Sequence, residues 1–141
     1  MPGDNGSWTD FDNFLTAMIS AINKNAMTDG LDIEIWNEPD LTGVYWQRAQ
    51  SQYLEMWGRA YHRLRTAFPN SPIVGPTSSG QPSAGNTWLN NYFSFVKSNN
   101  SIPDILIWHL EGNPSNAVDD LQTDVPALEA LLSKYGIPAK P

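Results

Sequence analysis

Glu38 stands at the end of an aliphatic run, in Ile35-Trp36-Asn37-Glu38-Pro39, and the proline after it fixes the backbone. A carboxylate held in that way suits proton transfer: it can protonate a leaving oxygen and later take a proton from water. The plainer alternative is a solvated acid at a surface turn. Three further groups bear on the choice. His109 follows Ile105-Leu106-Ile107-Trp108, Glu111 lies two residues beyond it, and six tryptophans are spread along the chain. Flat indole rings suit the apolar faces of pyranosides, though ordinary core packing also explains a tryptophan.

The elements that must position these residues alternate. Thr9 or Asp10 is expected to cap a helix with Phe14, Leu15, Met18, Ile19 and Ile22 on one face, ending near Lys24. Leu31–Trp36 reads as a strand. A second helix is expected from about Tyr45 to Phe68, stopped by Pro69-Asn70-Ser71-Pro72. Ile73-Val74-Gly75 is a short strand. Asn86 or Thr87 caps a third helix, Ile105–Trp108 is a third strand, and residues 118–135 are helical with a restart at Asp124-Val125-Pro126. Strands that alternate with helices imply a parallel sheet with helices outside it. A closed (β/α)8 barrel takes roughly 250 residues. The 141 residues therefore suit a single α/β domain that is a partial TIM barrel, incomplete at both ends.

Side chains alternate along a strand. Leu31, Ile33 and Ile35 form one face of the first strand, and Asp32, Glu34, Trp36 and Glu38 the other. In a barrel the second set lines the interior. Glu38 then sits at the C-terminal mouth, where barrel active sites lie, and Glu34 is a buried acid that needs partners.

At this point a resemblance becomes specific. "IEIWNEPD" is similar to the fourth-strand motif of the clan A glycoside hydrolases, and its Asn-Glu-Pro stands at the end of an Ile-rich strand. Together with "PGDNGSWTDFDNF", "YWQRAQSQYLEMWGRAYHRLR", "IVGPTSS" and "IPDILIWHLEG", the chain most resembles the family 39-like branch throughout its length. The resemblance identifies residues 31–38 with strand four, 72–76 with strand five, 105–109 with strand six and 137–141 with the approach to strand seven.

That resemblance implies a retaining O-glycosyl hydrolase acting on a poly- or oligosaccharide. Two carboxyl groups about 5–5.5 Å apart are needed. Glu38 would be the general acid/base and must arrive protonated. The nucleophile of this clan stands on strand seven and is not in this sequence, so the isolated chain is expected to be inactive. Asn37 would bind the sugar 2-hydroxyl. Trp36, Trp46, His109, Glu111 and Trp8 are the other expected substrate contacts, with Asp4, Asn5 and Tyr45 near the same mouth. His109 resembles a strand-six histidine that orients a catalytic carboxylate or touches sugar. A non-catalytic carbohydrate-binding or inactive barrel fragment remains the alternative.

Composition narrows the partners. Eight basic against fifteen acidic residues give a net charge of −7, without the basic clusters that nucleic acid or anionic lipid requires. No apolar run is long enough to span a bilayer, and the N-terminus MPGDNGSW does not read as an export signal. Two Asn-X-Ser sequons, at Asn5 and Asn99, leave the compartment open, as does the absence of cysteine. With no cysteine and two histidines, a zinc site is not expected, and Gly75–Gly80 lacks the lysine of a phosphate loop. No cofactor is called for. Unpaired sheet edges make self-association an expectation.

Overall fold

A computed structural model describes residues 1–110 and 117–140. The described residues form a mixed α/β structure with four α-helices and a two-stranded parallel sheet. Helix α1 is Thr9–Lys24. Its apolar stripe buries Leu15 and half-buries Phe11, Met18, Ile19 and Ile22. Neither Thr9 nor Asp10 caps it. The N-cap position falls on Trp8 without a side-chain bond, and Asp10 and Asp12 instead place negative charge against the helix N-terminus.

Strand β1 is Ile33–Glu34 and β2 is Ile73–Val74, paired Ile33 to Ile73 and Glu34 to Val74. Both are shorter than the sequence suggests. Between Ile35 and Asn37 the ladder lapses, and it resumes where Glu38 N–H donates to the Thr77 carbonyl at 2.9 Å. Pro72, Pro76 and Pro103 have no N–H to give a ladder. The third expected strand survives as isolated parallel bridges, Val74 to Ile105 and Ser78 to Trp108. Bonds from Gly75 N to Ile105 O, Thr77 N to Ile107 O and His109 N to Ser78 O hold that segment to the chain after β2. Three segments thus run side by side in chain order, each linked to the next by a helix.

The first linking helix, α2, is Gln50–Ala67. It starts five residues later than Tyr45 because residues 41–46 close their own turn, with Tyr45 N–H bonded to Leu41 O and Thr42 bridged to Trp46. Tyr53, Met56, Trp57, Ala60 and Leu64 make its buried stripe. Helix α3, Thr87–Ser98, is capped by Asn86, whose side chain accepts from Leu89 N–H at 3.0 Å. Tyr92, Phe93 and Val96 of α3 meet that stripe, with Trp57 edge-on to Tyr92 at 5.2 Å. Trp57 also donates to Ser101 O at 2.9 Å. Gly75 runs directly beneath the Trp57 ring: a Cβ there would lie 2.5 Å from it. Only glycine lets the chain after β2 pass that close.

Helix α4, Ala117–Lys134, runs through Pro126 without the expected restart. The helix tolerates the lost N–H there because burial on its other side holds it, through Leu131 and Leu132 and through Asp124, which accepts from Trp108 Nε1 at 3.1 Å. Its end is a Schellman closure: Ile137 N–H bonds Leu132 O, Gly136 N–H bonds Ser133 O, and Gly136 has φ 59°. Lys97 reaches Gly136 O, and Lys134 and Tyr135 both reach Asn90, so α4 docks on α3.

Candidate active site

The chain turns sharply at the end of the first strand, and Glu38 carries the turn with φ 45°. A non-glycine residue with positive φ costs on the order of 1–3 kcal/mol and persists where its surroundings leave no other choice. Those surroundings are specific. Glu38 N–H donates to Thr77 O, and Glu38 O accepts from Leu41 N–H at 3.1 Å. The side chain points inward, and the residue is 7% exposed. Its Oε1 lies 2.6 Å from His109 Nδ1. His109 is fixed in turn by its own N–H on Ser78 O at 2.8 Å. The acid from the first strand and the imidazole from the third therefore meet across the end of the middle one. Glu38 is not a solvated turn residue.

Thr77 also has positive φ, 55°. It is buried, and its hydroxyl has no hydrogen-bond partner among the described residues. Asp40, two residues beyond Glu38, accepts from Ser79 N–H at 2.8 Å, from Ser79 Oγ at 3.0 Å and from Gly80 N–H at 2.7 Å. Neither residue stood out in the sequence. The Ser/Gly run that Asp40 reaches lies nearly forty residues on in the chain.

The remaining expected residues fall in different places. Asn37 is exposed beside Glu38. Trp36 is half-buried, donates Nε1 to Tyr45 O at 3.3 Å and packs edge-on to Trp46 at 5.2 Å. Trp46 is 1% exposed, with its ring between Trp36 and Tyr53 and its Nε1 on Ala49 O. It has no face open to a sugar, whereas Tyr45 is exposed. Glu34, expected as a buried acid, is exposed, because the described residues put no second layer over it. Trp8 lies 4.8 Å beneath the Arg59 guanidinium on the flank of α2. Asp4 pairs with Arg48 at 2.6 Å and takes a bond from Gln52, and the Arg48 guanidinium holds its carboxyl well below the usual carboxylate range. Glu111 lies outside the described residues.

Burial drives the Tyr53 and Tyr92 phenols well above their ordinary range, so both are neutral packing groups. Tyr53 also feels the negative charges of Asp40 and Glu34. A depression of about 810 Å³ lies on the outer side of α2, lined by Leu54, Gly58, Arg59, His62 and Phe95 among others. No residue of the Glu38 cluster takes part in it.

No family model and no curated protein matches the sequence. Solved structures do match the fold. The structure of N2152 from Neocallimastix frontalis superposes with a TM-score of 0.72 at 30% identity, over 92% of this chain and 30% of that one. A GH39 beta-xylosidase from Caulobacter crescentus gives 0.69 at 20% identity, over 92% of this chain and 27% of that one. A glucosidase from Croceicoccus marinus gives 0.64 at 23% identity, over 73% and 22%. The chain spans less than a third of the length of each. It folds like the matching segment of a family 39 glycoside hydrolase, and the resemblance carried by its sequence holds at the level of the fold.

Proposed function

We propose that residues 1–141 are the middle segment of a (β/α)8 retaining glycosidase, and that Glu38 is its general acid/base. The observation that carries this reading is the buried Glu38 side chain, 2.6 Å from His109 at the ends of parallel strands. A buried acid at the C-terminal ends of parallel strands sits where barrels do chemistry. His109 occupies Oε1, so Oε2 is the oxygen that exchanges a proton with substrate. In the first step Glu38 protonates the departing glycosidic oxygen while a second carboxylate attacks the anomeric carbon. In the second step Glu38 takes a proton from water, which displaces that carboxylate. The attacking carboxylate is not among residues 1–141. Asn37, exposed next to Glu38 in the chain, is the residue we assign to the sugar 2-hydroxyl, and exposed Tyr45 is the ring we assign to stacking.

A carbohydrate is the substrate class, as the beta-xylosidase and glucosidase likenesses support. Among the described residues no helix is long and apolar enough to cross a membrane. Labelling a complete barrel that carries this segment with a 2-fluoro glycoside, followed by peptide mapping, tests the assignment. The label is expected outside residues 1–141. A label on Glu38 would make it the nucleophile and overturn the reading, and turnover by the 141-residue chain alone would do the same.

A further inference from the structure

Glu38 and Thr77 both hold left-handed backbone, φ 45° and 55°, and a single hydrogen bond joins them, from Glu38 N–H to Thr77 O. The next carbonyl, that of Ser78, takes the His109 N–H. Backbone at Thr77 and Ser78 thus sets both halves of the Glu38–His109 pair. Residues in such conformations relax unless something outside the local chain restrains them.

The restraint comes from Asp40. Its carboxylate closes on Ser79 and Gly80 through three hydrogen bonds, two of them to backbone N–H groups. It therefore ties the chain just after Glu38 to the chain just after Ser78. Gly80 is shaped to this closure: a Cβ there would lie 2.9 Å from Asp40 Oδ2. The circuit runs from Glu38 through Thr77 and Ser78 to His109 and back to Glu38, with Asp40 bracing its free side.

We propose that Asp40 is a positioning residue, which holds the 77–80 turn so that the Thr77 and Ser78 carbonyls fix Glu38 and His109 against each other. The catalytic meaning of this rests on Glu38 being the acid/base, but the positioning itself does not. Asp40 touches neither side chain of the pair and acts through backbone. It differs in this from an acid that merely caps a loop, because its loss must loosen two amides on other segments.

Amide hydrogen exchange, read residue by residue on the 141-residue chain, tests it without any substrate. The reporters are the Glu38 and His109 amides. The control is the Ser101 amide, which bonds Val96 O at 2.9 Å at the end of α3. Asp40→Asn places a donor where N–H groups need an acceptor. Exchange at Glu38 and His109 is expected to speed up by about tenfold or more, with Ser101 unchanged. Gly80→Ala strikes the same contact from the other side and is expected to raise the same two rates. It decides the matter if Asp40→Asn does not fold. Unchanged rates at Glu38 and His109 in a folded variant would overturn the proposal. So would equal acceleration at all three amides, which reports lost global stability. Because no turnover is read, an error in the glycosidase assignment would leave this result standing.

Discussion

His109 Nδ1 and Glu38 Oε1 stand 2.6 Å apart although seventy-one positions separate them in the chain. The contact exists because β1, β2 and the 105–109 segment align in parallel and end together. A short bond between a histidine and a carboxylate orients the carboxylate, whichever of the two holds the proton. It engages Oε1 and leaves Oε2 outside that bond. Its setting is also strained, since the acid sits on left-handed backbone.

The Trp57–Gly75 contact carries a stability prediction. Gly75→Ala puts a methyl 2.5 Å from a buried ring that α3 and Ser101 hold in place. Overpacking of this kind costs about 1–3 kcal/mol. Urea unfolding should show a lower midpoint with an unchanged slope. An unchanged midpoint would mean that the ring can move aside.

Asp4 predicts a pH dependence. Its carboxyl is held low by Arg48, so it contributes to stability above the unfolded-state value of about 3.9 and loses that contribution as pH falls below it. Asp4→Asn should therefore melt below the unsubstituted chain near neutral pH, and the gap should close as acid is added. The pair is exposed, so added salt should shrink the gap as well. A gap that widened in acid would contradict the assignment.

The sheet edges predict association. Among the described residues β1 has a strand partner on one side only, and the 105–109 segment likewise. Phe14, Met27, Val44 and Leu121 are exposed apolar side chains. We expect the isolated chain to sediment with a concentration-dependent mass and to unfold at a midpoint that depends on concentration. A sharp unfolding transition of a monomer, independent of concentration, would refute this.

Much of this architecture was legible in the sequence, for reasons particular residues show. The α1 stripe and the Asn86 cap are local signals, and both elements stand where periodicity puts them. Glu38 and His109 were legible because each closes an apolar run, although nothing local says that the two touch. The start of α2 was not legible. Tyr45 and Trp46 continue the helical pattern, but a turn closed by Leu41 O captures them first. Trp46 is the sharpest lesson: next to an acid it suggests a sugar platform, yet the aromatic rings of Trp36 and Tyr53 bury it. Asp40 and Thr77 were hidden because their roles are made by long-range backbone contacts, which no spacing in the chain reveals.

The central claim, that Glu38 gives and takes the proton, is tested most directly by Glu38→Gln within a complete barrel that carries this segment. Rates should be compared on two substrates, a natural oligosaccharide and an aryl glycoside whose leaving group needs no proton. Loss of acid catalysis should lower kcat/KM on the oligosaccharide by about 10²–10⁴-fold. The aryl glycoside should still form its covalent intermediate, which then accumulates. Hydrolysis of the oligosaccharide at an unchanged rate would show that Glu38 is not the acid.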